Sequence, residues 1–232
     1  MPGEASGGHG NFWFSYDHMG VHFTSVSTEH DYSVGSPQWQ WLQNDLRKAS
    51  AIGQRALVPW IVVVAHRPMY CSDKSEYTAH ISGAPFQSAV EPLLLEANVD
   101  VMMTGHEHGY ERIHPTRNGT VVSLPTTELR PISTGIERSA AQAVHVYRKP
   151  QAPLGVMVGS AGGLQEDHWV VPRPKWSAFR VTATLEKPWA GYGYVMMSVE
   201  GATRLNFEFR PLQGGQAGDR GVRTSDVFAI EK

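Results

Sequence analysis

Cysteine, charge and long apolar runs are all scarce in this chain of 232 residues. Its only thiol is Cys71, so an intrachain disulfide framework is excluded and thiol chemistry names no compartment. Charged residues make up 18%, below the roughly 25% of an average soluble domain. Twenty-two acids against twenty bases give a net charge of −2, which leaves no basic excess to neutralise a nucleic-acid backbone. The longest apolar run, residues 60–65, is about a third of a membrane-spanning helix. No nucleic acid and no membrane are therefore expected as partners. The first ten residues have neither the basic start nor the apolar core of a signal peptide and read as a flexible N-terminus, residues 1–10, ahead of one domain, 11–232. Two readings stay open: an intracellular protein, or a chain whose true start lies upstream. What the chain does have is a folded protein's apolar content: 41% hydrophobic residues, with seven Trp, eight Tyr and eight Phe.

Strand and helix alternate through the first half. Residues 12–16 and 21–26 predict two strands joined at His18-Met19-Gly20. Ser36-Pro37 offers an N-cap followed by proline at the first helical position, and behind it Trp39, Leu42, Leu46 and Ala49 recur on one helical face. Residues 61–65 are a β-branched run suited to a strand covered on both faces. Phe86, Val90, Leu93 and Leu94 mark a second helix over 85–97, and 99–103 another buried strand. After Thr104 the helical signals stop. Strands over 144–147, 154–158, 194–199 and 205–209 lie among Gly- and Pro-rich loops. The aromatic residues from Trp13 to Trp41 read as core packing. The chain is α/β at first and β-rich later, within one domain.

Eleven histidines are present, and two groups of them end buried strands. Residues 62–65 run into His66, and Pro68 then turns the chain off the sheet. Residues 101–104 run into Gly105-His106-Glu107-His108-Gly109. Ligand sites in open α/β sheets lie at the carboxyl ends of strands, and the glycines let two imidazoles converge. Neutral imidazole suits zinc, iron, manganese or copper, so His66, His106 and His108 are candidate metal ligands.

These segments resemble the last two metal-binding motifs of the purple acid phosphatases, a branch of the calcineurin-like metallophosphoesterases. The motifs stand here as Ala65-His66-Arg67-Pro68-Met69-Tyr70 and Gly105-His106-Glu107-His108-Gly109-Tyr110-Glu111-Arg112. Ser27-Thr28-Glu29-His30-Asp31, Gly35-Ser36, Gln40-Trp41-Leu42, residues 158–163, Trp176 to Arg180 and Asp226-Val227-Phe228 extend the resemblance over most of the chain. It implies a four-layer α-β-β-α sandwich, here N-terminally truncated with a β-rich C-terminal half. It also implies hydrolysis of phosphate monoesters at acid pH by a dinuclear centre of Fe(3+) plus a divalent metal, Zn, Mn or Fe. His66 and His106 would hold the divalent metal, and His108 the ferric ion. Such a pair would bind phosphate, generate hydroxide at low pH and stabilise an in-line displacement. A secreted, vacuolar or lysosomal location follows from the same resemblance.

The family's first three motifs, Asp-x-Gly, Gly-Asp-x-x-Tyr and Gly-Asn-His-Glu/Asp, occur nowhere in the chain. The expectation is therefore a later portion of a phosphatase whose isolated activity is weak or absent. An open sheet edge would accompany such truncation, with poor solubility or a homodimer as the result. His80 is a candidate for phosphate binding or leaving-group protonation, and Arg112 for phosphate binding; a loop histidine and a structural salt bridge are their plain alternatives. His168 could line the cleft, Tyr110 packs beneath the site loop, and Cys71 is by default a buried inert thiol. Asn118-Gly119-Thr120 is the sole glycosylation sequon. A phosphodiesterase or nucleotidase of the same fold and a non-catalytic binding module are the alternatives. A metal-dependent amidohydrolase fits neither the length nor the motif spelling.

Overall fold

The computed structural model describes residues 2–74, 79, 83–131, 141–163, 168–181, 191–211 and 226–232. A short helix α1 (Pro2–Ser6) precedes the hairpin of β1 (Phe14–His18) and β2 (Val21–Ser25). Met19 and Gly20 at its tip take φ of 50° and 79°, the two-residue turn whose twist matches that of the strands. Among the opening residues, Trp41 Nε1–H donates to the Ser6 carbonyl at 3.2 Å, and His9 N–H to Trp13 O at 3.0 Å.

Helix α2 (Pro37–Ser50) starts where its sequence says it should. Ser36 is extended, and its hydroxyl accepts from Trp39 N–H at 3.2 Å, with Pro37 at the first helical position. Then come α3 (Ile52–Leu57), β3 (Trp60–Val64), α4 (Pro85–Glu96), β4 (Val101–Thr104) and β5 (Tyr110–Ile113). The two-stranded ribbon of β6 (Thr116–Arg117) and β7 (Thr120–Val121) follows, and after it β8 (Thr126–Pro131), β9 (Ala141–Arg148) and β10 (Leu154–Val158). β11 (Ser177–Val181), β12 (Gly193–Glu200), β13 (Arg204–Pro211) and β14 (Asp226–Glu231) complete the described elements.

The larger sheet has the order β1-β2-β3-β4-β10-β5-β11, with β2, β3, β4 and β10 parallel. The second sheet has the order β12-β13-β14-β9-β8. Period-two alternation assigns the two faces of the larger sheet. Ile61 and Val63 turn to the side where Leu42 and Leu46 of α2 and Phe86, Val90 and Leu94 of α4 pack. Trp60 and Val62 turn to the other side, against Phe207, Phe209, Phe228 and Ile230 of the second sheet. Each such side chain contributes roughly 1.5–3 kcal/mol on burial. The helical face of α2 is rotated from the sequence expectation. Trp41 is the core residue, whereas Trp39 is half-buried and donates its indole N–H to Ala89 O of α4 at 2.9 Å. The far face of the second sheet carries Val144, Val146 and Ala229, and no described helix joins their cluster. The described residues thus supply helix, sheet and sheet layers of the metallophosphoesterase sandwich.

Candidate functional site

β3 and β4 lie side by side and parallel, so the loops after them emerge together at the carboxyl edge of the sheet. They are joined there by backbone: Ala65 N–H donates to Met103 O at 3.0 Å and Gly105 N–H to His66 O at 2.9 Å. His66 and His106 consequently face each other, with His106 Nδ1 3.1 Å from His66 Nε2 and ring centroids 4.9 Å apart. His106 has a φ of 68°, a left-handed conformation uncommon for a residue with a side chain and typical of functional turns. The turn is closed by Glu107 N–H to Gly105 O (2.9 Å) and Gly109 N–H to Glu107 O (2.8 Å). The loop after β10 closes over it: a Cβ on Gly159 would fall 1.8 Å from Glu107 O. Gly109 is needed because the Trp169 ring packs where its side chain would be, 3.0 Å from an added Cβ.

Two buried groups fix these loops from below. Glu111, fully buried, accepts from Ser72 N–H at 2.8 Å and from the Ser72 hydroxyl at 2.6 Å, tying the strand after His108 to the loop after His66. Burial pushes the Glu111 carboxyl above its ordinary value, and the Ser72 hydrogen bonds offset only part of this. Arg180 donates to the Ser72 hydroxyl at 3.0 Å and lies over the Trp169 ring, 5.3 Å from its centroid.

Arg67 completes the cluster and had no assigned role in the sequence reading. Its Nε donates to Glu29 Oε1 at 2.8 Å, and its Nη1 lies 3.0 Å from His106 Nε2. A guanidinium only donates, so a neutral His106 would accept from it at Nε2. Glu29, in the quoted stretch before α2, was the available sequence signal for a basic partner.

This arrangement tests the two-metal centre implied by the resemblance. Imidazole nitrogen is the right donor chemistry, but among the described residues only two imidazoles converge, and one of them lies beside a guanidinium. His108 is exposed and lies over Gly163, whose Cβ would meet the ring at 2.5 Å. Among the described residues no group of three His, Cys, Asp or Glu side chains is placed to hold a metal ion. The described donors therefore do not make up a metal centre.

The remaining candidates separate clearly. Arg112 is 2% exposed and cannot reach a substrate. It forms a bidentate pair with Asp226 (2.7 and 3.1 Å), and its guanidinium sits over the rings of Tyr147 and Phe228. The plain alternative, a structural salt bridge, is what the structure shows. Tyr110 is stacked on Phe209 at 4.1 Å and donates to Asp226 at 2.8 Å, so it too links the sheets. His80 lies outside the described residues. His168 is exposed, and its carbonyl accepts from Lys74 N–H at 2.7 Å. Cys71 is buried, which pushes its thiol well above the ordinary range. Asn118 is exposed at the tip of the β6–β7 ribbon.

Residues 2–110 match the calcineurin-like phosphoesterase family, and residues 152–220 the family described as iron/zinc purple acid phosphatase-like protein C. The chain is 32% identical over 225 residues to the acid phosphatase type 7 of Mus musculus, an alignment covering 90% of this chain and 44% of that protein. It is 36% identical over 163 residues to purple acid phosphatase 21 of Arabidopsis thaliana, covering 70% of this chain and 35% of the relative. The chain thus spans less than half the length of these curated relatives. Its fold is similar to that of purple acid phosphatase PPD1 from yellow lupin seeds, with a TM-score of 0.69 at 23% identity, over 95% of this chain and 32% of that one. GAP50, described as the anchor in the inner membrane complex of Plasmodium, is similar at a TM-score of 0.55 and 16% identity, over 97% of this chain and 56% of that one. One family match covers the strand-end loops and the other residues 152–220 of the β-rich half, so the chain belongs to the purple acid phosphatase branch of the calcineurin-like phosphoesterases.

Proposed function

We propose that this chain carries the imidazole half of an acid phosphatase site for phosphate monoesters, and that its 232 residues alone turn over little or no substrate. The observation that carries this reading is the approach of His66 Nε2 to His106 Nδ1, 3.1 Å apart where two parallel strands end. Arg67 adds a guanidinium beside the pair, a group suited to binding a phosphate oxygen. Incomplete activity is supported by the small donor set among the described residues.

The test is hydrolysis of p-nitrophenyl phosphate at acid pH, with Fe³⁺ and Zn²⁺ or Mn²⁺ supplied, by the chain and by His106→Ala. Turnover at or near the level of the variant is expected. Fast turnover abolished by the substitution would overturn the incompleteness. A chimera prefixed with the upstream part of the Arabidopsis relative tests the phosphatase reading itself. It should hydrolyse the ester in a manner dependent on His66 and His106, and a folded but inert chimera would refute that reading.

A non-catalytic binding module is favoured by the lack of a third converging donor among the described residues, and the inert chimera is its predicted outcome. A secreted or vacuolar site of action goes with the phosphatase reading, as does an N-glycan on Asn118. Expression through a secretory route should give a mobility shift removed by glycosidase and missing in Asn118→Gln.

A further inference from the structure

Four rings gather where the chain leaves β2. The His30 ring lies 4.5 Å from Phe12 and 5.9 Å from Trp13 between centroids, and His9 lies 5.8 and 5.1 Å from the same two rings. Trp13 is half-buried and packs against the core on the helix side of the larger sheet. His9, Phe12 and His30 are exposed, and Phe12 keeps 47% of its surface in water. A joined surface of rings, unlike a lone exposed apolar residue, offers a face on which a further ring can stack.

This surface stands at the same edge of the sheet as His66 and His106. β2 runs parallel to β3, and Val26 N–H donates to Val64 O at 2.9 Å, so residues 27–30 emerge beside the His66 loop. Arg67 joins the two. Its backbone N–H donates to the Thr28 hydroxyl at 3.1 Å and its Nε to Glu29 at 2.8 Å, while Nη1 lies 3.0 Å from His106 Nε2. His30 is the next residue after Glu29, so one arginine side chain separates the imidazole pair from the stretch that carries the rings. That stretch is held in shape. Gln38, 1% exposed, accepts from Ser27 N–H at 2.6 Å and donates to the carbonyls of Ser27 and Asp31 at 2.9 and 3.3 Å. The His30 ring is fixed in turn by the Ser27 hydroxyl, 2.7 Å from its Nδ1. A ligand ring that stacks on a surface already held in place pays little further ordering entropy.

We propose that His9, Phe12 and His30 form a subsite for the leaving group of the phosphate ester, selecting monoesters whose alcohol part carries an aromatic ring. The inference rests on the reading of the strand-end loops as a phosphate site. With phosphate beside Arg67 and the imidazole pair, a substituent on the ester oxygen that turns toward the loop after β2 meets Phe12 and His30. A planar ring gains there from stacked or edge-on contact at centroid separations of roughly 4.5–7 Å. A saturated ring of the same size buries similar area but lacks the π-face that this contact uses. Selection therefore runs through ring character rather than through hydrogen bonds to the alcohol. A phenyl ester and a nucleoside monophosphate share this chemistry and differ in how far the ring lies from phosphorus.

The test is calorimetric titration of the intact chain, without added metal ions, with two pairs of esters. Phenyl phosphate is compared with cyclohexyl phosphate, and adenosine 5′-phosphate with ribose 5-phosphate. The aromatic member of at least one pair should bind about three- to tenfold tighter than its partner. Phe12→Leu should abolish that preference and leave the affinity of the non-aromatic ester unchanged, whereas Phe12→Trp should keep it. A merely structural role for Phe12 would move both esters together. A preference confined to the phenyl pair assigns the subsite to aryl esters, and one confined to the nucleotide pair assigns it to a nucleobase. Equal affinities within both pairs, failure of all four esters to bind, or a preference that survives Phe12→Leu would each overturn the proposal. Turnover plays no part in this measurement, so an inert chimera would refute the phosphatase reading and leave the ring preference standing.

Discussion

Replacing Asp226 by Asn removes one negative charge from the most enclosed ionic contact between the two sheets. Asp226 and Arg112 are each 2% exposed. The carboxylate accepts three hydrogen bonds, two from the guanidinium and one from Tyr110. Tyr147 accepts from the same guanidinium and lies 2.7 Å from His114 Nδ1. Burial works against the charge of Arg112, and the Asp226 carboxylate more than compensates, raising its pKa. Asn keeps the volume but leaves a guanidinium buried between apolar rings without its counter-charge. Breaking a buried pair in this way costs about 3–5 kcal/mol, a large fraction of the roughly 5–15 kcal/mol that keeps a domain folded. Denaturant unfolding should show a loss of this size in the midpoint at unchanged slope. The companion double variant, Arg112→Met with Asp226→Leu, removes both charges. Its cost should be smaller, limited to roughly 1–3 kcal/mol for the hydroxyl of Tyr110 losing its acceptor. A loss below about 1 kcal/mol for Asp226→Asn, or a double variant worse than the single, would refute the view that this pair holds the sheets together.

Three further outcomes follow from contacts elsewhere. Burial alone would lower the His22 pKa, but Asp45 (3.1 Å) and Asp17 (2.6 Å) on its two ring nitrogens raise it overall. Its contribution is therefore full below the ordinary value near 6.5 and lost as pH rises through the higher folded value; the stability gap between wild type and His22→Gln should shrink from pH 5 to pH 8, and a constant gap would contradict this. Gly159→Ala should cost at least about 2 kcal/mol because its Cβ meets the Glu107 backbone carbonyl, whereas at Gly163 the nearest atoms belong to the side chain of His108, and Gly163→Ala should cost less; thermal melts of the two variants compare them. Cys71 should resist thiol reagents in the native state and react only on unfolding, as followed by the kinetics of disulfide-reagent release.

How much of this was legible in the sequence depends on whether the determinant was local. The cap at Ser36, the turn at Met19-Gly20 and the doubly buried run of β3 are set within a few residues, and they appear where expected. The His66–His106 meeting was also legible, because parallel strands bring their carboxyl ends together. The role of Arg112 was not, since its partner lies 114 positions away on the other sheet. Nor could alternation show that Tyr16 would stay half-exposed. Periodicity names the face a side chain takes, but not whether a second sheet extends far enough to cover it. Trp41 replaced Trp39 in the core for a similar reason: the stripe of α2 is shifted by what α4 and the Ser6 carbonyl offer each indole N–H.

Among the described residues the shortage of donors at the site does not come from loose loops. A poorly held loop could carry its histidines apart and bring them together when a ligand arrives. Here the loops are fixed on several sides before any ligand is considered. Backbone bonds join Gly105 to His66 and Gly159 to Gly109, Glu111 grips both donors of Ser72, and Asp73 pairs with Trp169 in a β-bridge. Glu111 and Ser72 are fully buried, so the tie is not open to competition from water. The His108 ring lies against Gly163, while His106 turns through positive φ toward His66. Completing the donor set by rearrangement would have to break these buried bonds. Donors brought from outside these loops would leave them intact, so the chimera proposed above should gain activity without any change in the loops described here.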